Sequence, residues 1–345
     1  MTIEEKLNSI RETKEAIKTS IQNKGVEVVD TDTFASYAEK IDNIETGGGD
    51  LSEYYTAEYE NGRGITQFQE TSWYKCILKL PPLSFNGTSC SAIFYYCPAQ
   101  TMDLSNFDTS NVTLMNRMFM SSQLTELDLS NFNTSNVTNM ESMFSGCNKL
   151  IKLDLSSFDT SNVTNISSMF NNCSQLTELD LSNFDTSGVS SMQSMFNNCS
   201  KLTSLDLSNF DTINVTSIGY MFSACSRLTS LNLSSFDMSN VTYVANMFSS
   251  SSNLQNLQFG YNLGKGYTEQ TSNYANYTIT LSSCTALTHD SLMSIINGLY
   301  DLNLTYDVAN GGTLYTQKLV LGANNIAKLS EEELAICTTK GWSVS

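Results

Sequence analysis

The chain has 345 residues, a formal net charge of −17, 40% hydrophobic residues and only 15% charged ones. Such an acidic chain repels nucleic-acid phosphates and anionic membranes, and no basic stripe offsets this. It also contains no apolar run of transmembrane length.

Ile3, Leu7, Ile10, Ile17 and Ile21 keep a 3–4 spacing interrupted at Lys14, which predicts a helix over 3–22. A seam of about three heptads is marginal alone, so it needs a partner. Either it packs on its own chain, or it forms a parallel bundle in which isoleucine leans toward a homotrimer. Gly25 ends this helix, and Thr33 opens a second one carrying Phe34, Tyr37, Ala38 and Ile41. Gly47, Gly48 and Gly49 form a flexible linker. Residues 1–46 thus read as a helical oligomerisation and docking module, and 47–50 as its linker. The opening residues Met1 to Lys6 are charged and helical in character, unlike a secretory signal. The run from Ile17 to Ile44, a helix followed by Lys-Gly-Val-x-Val, a polar turn and Phe-x-x-Tyr, resembles an N-terminal segment of bacteriophage tail and other virion proteins. That resemblance implies a fibre, spike or decoration component made in the host cytoplasm and carried on the virion.

Residues 51–97 gather Tyr54, Tyr55, Tyr59, Trp73 and Tyr74 ahead of a short strand, Lys75 to Leu80, stopped by Pro81 and Pro82. Ser89 to Cys97 echoes a motif met later, so 51–97 reads as a degenerate first coil that caps an open end.

Residues 98–259 repeat. Phenylalanine recurs at Phe107, Phe132, Phe158, Phe184, Phe210 and Phe236, and again at Phe119, Phe144, Phe170, Phe196, Phe222 and Phe248. After a first interval of 25 residues the period is 26, which is the mark of a solenoid. Leu150 to Leu155 alternates like a parallel strand with its leucines inward. Val163, Ile166, Met169 and Phe170 are spaced as in one or two turns of helix, with Ser161 or Asn162 as its cap and Asp159 in an Asx-turn. The expected fold is therefore an α/β solenoid, a right-handed array of 26-residue coils, each a parallel strand plus a short helix. This array resembles the BspA-like leucine-rich repeat family of bacterial surface proteins. The resemblance implies adhesion and protein contact rather than catalysis, with a bacterial surface adhesin as the alternative to the virion reading.

Nine cysteines are present, but Cys147, Cys173, Cys199 and Cys225 share one repeat position, and Ser122 and Ser251 stand near it in other copies. A cross-link would not tolerate that exchange, so the expectation is a column of small buried residues and no disulfides. Residues 260–345 read as a C-terminal cap. It holds a loop with Tyr261, Tyr267, Tyr274 and Tyr277, a helix over 287–300, a strand over 317–321, a helix over 330–339 and a strand over 342–344.

Three features are candidates for function. Asp103, Asp128, Asp154, Asp180 and Asp206 lie between inward leucines and form a ladder of like charge. The ladder is either a face for a cation or basic ligand, or a solvated rank that serves solubility; a calcium site would need oxygens converging from several directions. Tyr261 and Tyr267 could stack on a ligand or cover the core. The single histidine, His289, stands five residues from Cys284, where a helix start is the simpler account than a nucleophilic pair. Asn111, Asn136, Asn162, Asn214 and Asn240 each begin an Asn-Val-Thr sequon that helix capping or an asparagine ladder would explain. No cofactor, catalytic or metal motif is recognised. The partners expected are other virion proteins, through residues 1–46, and a bacterial surface protein or glycan.

Overall fold

The computed structural model describes residues 79–80, 87–97, 99–105, 107–267, 277–304 and 317–345. The helices expected within 1–46, the linker and the aromatic cluster near Trp73 lie outside the described residues.

Each copy of the repeat is hydrogen-bonded to the next along one line. Between the second and third copies, the N–H groups of Met140, Ser142, Phe144 and Gly146 donate to the carbonyls of Asn165, Ser167, Met169 and Asn171 at 2.6–3.0 Å. The N–H groups of the residues in between, Met143, Ser145 and Cys147, donate back within their own copy to Met140, Ser142 and Phe144. Alternate amides thus serve alternate purposes, one set closing overlapping three-residue turns and the other joining copies. Parallel bridges follow the same line from Ser89 through Leu114, Asn139, Asn165, Ser191 and Ser217 to Tyr243.

This is where the sequence predicts a short helix, and the chain forms turns instead. Two corners of every copy have positive φ, such as Ser142 at 57° with Gly146 at 76°, and Ser168 at 56° with Asn172 at 61°. That conformation cannot continue a right-handed helix and is what the third residue of a type II turn needs. Serine and asparagine, which visit this region more readily than bulky residues, fill most of these corners. Overlapping turns bury the same three-residue spacing as a helix, so Val163, Ile166, Met169 and Phe170 are buried as expected although the backbone differs.

The leucine segments also depart from expectation. Leu153 and Leu155 are buried while Lys152 and Asp154 are exposed, as in a strand. Yet among the described residues sheet pairing joins these segments only at the two ends of the array. At one end Lys79–Leu80 (β1) pairs with Thr101–Met102 (β2), and at the other Ser230–Asn232 (β3) pairs with Asn256–Gln258 (β4). In between, side chains replace the backbone rungs. Asn183 Nδ2 donates to the carbonyls of Leu155 and Phe158 in the preceding copy, at 3.0 and 2.7 Å. Asn131 does the same two copies earlier and Asn209 one later, and in the copy between Asn131 and Asn183 Ser157 Oγ reaches the Leu129 carbonyl.

The core is a column of rings. Phe94, Phe119, Phe144, Phe170, Phe196, Phe222 and Phe248 stack with centroids 5.4–5.9 Å apart and planes within 15° of parallel. Beside them runs the cysteine column. The thiols of Cys147, Cys173, Cys199 and Cys225 donate to the carbonyls of Phe119, Phe144, Phe170 and Phe196 at 3.0–3.2 Å. Ser251 Oγ does the same to Phe222 at 2.6 Å, so serine and cysteine interchange because both are small donors. All eight described cysteines are free and buried, and burial pushes Cys147 up to about 11 and Cys225 to about 12. Thiol reagents are therefore expected to reach these residues only on unfolding. Cys173→Ser is expected to melt close to the parent, whereas Cys173→Val removes one of the two donors to the Phe144 carbonyl, the Cys147 amide remaining, and is expected to cost about 0.5–1.5 kcal/mol by chemical denaturation.

The coil pattern is present ahead of residue 98, in β1 and in Ser89 to Cys97, whose amides donate to the carbonyls of Leu114, Asn116, Met118 and Met120. At the other end the chain forms Thr278–Thr280 (β5), His289–Gly298 (α1), Gln317–Val320 (β6), Ala323–Ile326 (α2), Glu331–Thr339 (α3) and Trp342–Val344 (β7). Strands β5, β6 and β7 make a parallel sheet in that order. Ser291 at the start of α1 donates to the Gln255 carbonyl and accepts the Leu257 amide, which fixes the helix to β4. Lys340 Nζ closes the C-terminal end of α1, donating to the carbonyls of Ile296, Asn297 and Leu299. Helix α3 starts with a capping box between Ser330 and Glu333.

Candidate functional surface

The aspartate ladder is built from turns. Oδ1 of Asp128, Asp154, Asp180 and Asp206 accepts the backbone N–H of Ser130, Ser156, Ser182 and Ser208 at 2.9–3.0 Å. Asn232 makes the same bond to Ser234, so a charge is not needed for the job. The backbone amide, and then the serine hydroxyl, hold each carboxyl below the usual range; repulsion from Asp154 and Asp103 on Asp128 is a smaller, opposing effect. The turn outweighs the repulsion. Among the described residues no group of three or more histidine, cysteine, aspartate or glutamate side chains could hold a metal ion.

A carboxylate whose folded pKa is depressed stabilises the fold above its unfolded value, near 4, and that stability is lost as pH falls through the folded value. Melting temperature is therefore expected to drop on acidification below about pH 4. The drop is expected to be smaller when Asp128, Asp154, Asp180 and Asp206 are all replaced by asparagine, which keeps the acceptor. Equal acid sensitivity of the two proteins would contradict this account. At neutral pH, added calcium is expected to leave the melting temperature unchanged.

A second series faces another turn. Asp108, Asp159, Asp185, Asp211 and Asp237 each accept the amide two residues on, and Asn133 does so in the remaining copy. Next to them lies a buried threonine ladder with no obvious mark in the sequence. Thr160 Oγ1 donates to the Asp185 carbonyl at 2.9 Å and accepts the Asp185 amide at 2.8 Å. Thr109, Thr134 and Thr186 make the same pair of bonds to Asn133, Asp159 and Asp211. The sequon asparagines serve stacking rather than helix capping. Nδ2 of Asn136, Asn162, Asn214 and Asn240 donates to the carbonyls of Ser110, Ser135, Ser187 and Ile213 in the copy before.

The C-terminal aromatics divide. Tyr277 is buried and meets Trp342 edge-on at 6.0 Å, covering the core. Tyr261 is 50% exposed and bridges to Asp237. Tyr267 ends a short 3-10 turn, Lys265–Tyr267. The side chain of Tyr267, all of Tyr274 and the seam Ile3, Leu7, Ile10, Ile17 and Ile21 lie outside the described residues. His289 and Cys284 are not partners: Nε2 of His289 meets Glu333 Oε1 at 2.8 Å, while the Cys284 thiol donates to the Phe248 carbonyl.

The recurrent polar side chains of the array are thus spent on turns and on joining copies. The side chains left exposed change from copy to copy, among them Leu114, Arg117, Ile151, Lys152, Ile213 and Tyr243. A uniform stacked frame carrying a variable exposed surface is that of a repeat protein. The chain belongs to the family described as "Mycoplasma protein of unknown function, DUF285", which matches residues 88–180 and 177–287, more than half of its length. A search of curated proteins returned no match.

Proposed function

We propose that this chain is a non-catalytic display protein whose right-handed solenoid carries a binding surface and whose residues 1–46 dock it on a larger particle. The observation that carries the display reading is that recurrent polar residues are consumed within the stack while the exposed ones vary. A catalytic centre would instead converge unlike groups on one cleft. The particle favoured is a bacteriophage virion, by the likeness of residues 17–44 to virion segments, with the apolar seam from Ile3 to Ile21 assembling a trimer. The partners are then other virion proteins at the N-terminus and a bacterial surface receptor along the array.

The family match supports a second reading, a bacterial surface adhesin of the BspA-like kind. Antibody labelling separates the two. The virion reading expects the chain in purified particles and its loss from them when residues 1–46 are removed; labelling of intact, phage-free cells would overturn it in favour of the adhesin.

A further inference from the structure

The line of bridges that joins the copies is occupied by small polar residues for most of its length and changes character at one place. Position 219 is glycine, where the copies on either side have Gln193 and Ala245. The Tyr243 ring fills the space, so that a Cβ at 219 would overlap its Cε1 and Cδ1. Beside it Tyr220 holds φ at 59°, a corner that Ser142, Ser168, Ser194 and Asn246 fill in other copies and that disfavours a bulky side chain. Asn246 Nδ2 donates to the Tyr220 hydroxyl at 2.9 Å. Burial and then the Tyr220 hydroxyl raise the Tyr243 phenol, which stays neutral in the physiological range. Tyr243 is nevertheless 40% exposed. Two local rules are broken here, a glycine where others carry side chains and an aromatic at a left-handed corner, and the first lets one ring pack against the backbone at 219.

The surroundings decide what could lie on it. Gln193, Thr216, Ser217, Thr242 and Asn246 are hydroxyls and amides, with no charge among them in a chain of net charge −17. Ser217 Oγ donates to Gln193 Oε1 at 3.3 Å, which leaves the Gln193 amide N–H groups to face outward partners. An exposed ring edged by neutral donors and acceptors matches a pyranose, whose C–H face is apolar and whose hydroxyls are not. A protein partner would need an apolar centre many times larger than one ring.

We propose that Tyr243, seated on Gly219 and flanked by Tyr220, is the stacking platform of a neutral-saccharide site, with Asn246, Gln193 and Ser217 bonding the sugar hydroxyls. This names a ligand class for the display surface and rests on that reading. It does not depend on whether a virion or a cell carries the chain. The test is an array of immobilised neutral hexose and N-acetylhexosamine oligomers, with sialylated and sulfated counterparts, probed with the full chain. Retention on a neutral oligomer is expected to fall at least tenfold in Tyr243→Ala and in Gly219→Gln, which displaces the ring. Tyr243→Phe is expected to keep most of it, and Tyr261→Ala all of it. Should Tyr243→Ala fold poorly, the pair Gly219→Gln and Tyr243→Phe still decides. Retention of charged oligomers or unglycosylated protein alone, no retention of neutral ones, or binding indifferent to both ring-displacing substitutions would overturn the proposal. Loss of saccharide binding with particle or surface location intact would leave the display reading standing.

Discussion

Phe170→Ala is expected to lower the stability of the array by about 3–5 kcal/mol, the usual cost of emptying a buried aromatic site. The upper end is favoured because Phe170 is fully buried and stacks on two neighbours, Phe144 and Phe196, each 5.9 Å away. Each copy touches only the copies beside it, so a vacancy in the middle also weakens the coupling between the two halves. Urea denaturation should show an earlier midpoint and a broadened or two-step transition. Phe170→Leu, which retains most of the volume, should cost clearly less. Equal midpoints for alanine and parent would mean that the ring column does not couple the copies.

The second large effect is expected at Thr186→Val, a substitution that changes shape hardly at all. Thr186 is buried, and its hydroxyl both donates to the Asp211 carbonyl and accepts the Asp211 amide, each at 2.8 Å. Valine leaves two part-buried backbone groups without the threonine hydroxyl, at about 0.5–1.5 kcal/mol each, so a loss of about 1–3 kcal/mol is expected. Thr186→Ser keeps the hydroxyl and should recover most of it, and hydrogen exchange at Asp211 should be faster only in the valine protein. A valine variant as stable as the parent would remove the threonine ladder from the forces joining the copies. Where the array ends, the same position is Met238, whose amide donates to Tyr261, and no further threonine rung is built there.

The repeat, its period and its buried residues were legible because phenylalanine, methionine and leucine recur at fixed positions and stacking places them together. The backbone between them was not. Val163, Ile166, Met169 and Phe170 have a spacing that overlapping turns and a helix both satisfy, and only the positive φ at Ser168 and Asn172 separates them. Serine and asparagine at those corners were visible, but they also suit caps and loops. The aspartate ladder was legible as a pattern, but its part in the turns was not, because nothing in the alternation of the leucines points to the serine amide two residues on as its partner. In the terminal cap, helix α3 follows its capping box from Ser330 closely, since a cap is a local signal. The Tyr243 platform could have been found by asking why one copy alone has glycine followed by tyrosine at 219 and 220.

The two sides of the stack are fastened differently. Along one line the copies share backbone hydrogen bonds every second residue, while along the leucine side, between β2 and β3, asparagine and serine side chains provide the rungs. Side-chain rungs rotate and lengthen more readily than a backbone ladder. Mechanically the array is expected to behave as a bellows stitched along one seam, giving more readily on its leucine side than along the bonded line. Pulled from its two ends, it would yield first at the leucine side and store that strain elastically, so a load-bearing attachment could give under shear and recover without losing the order of its coils.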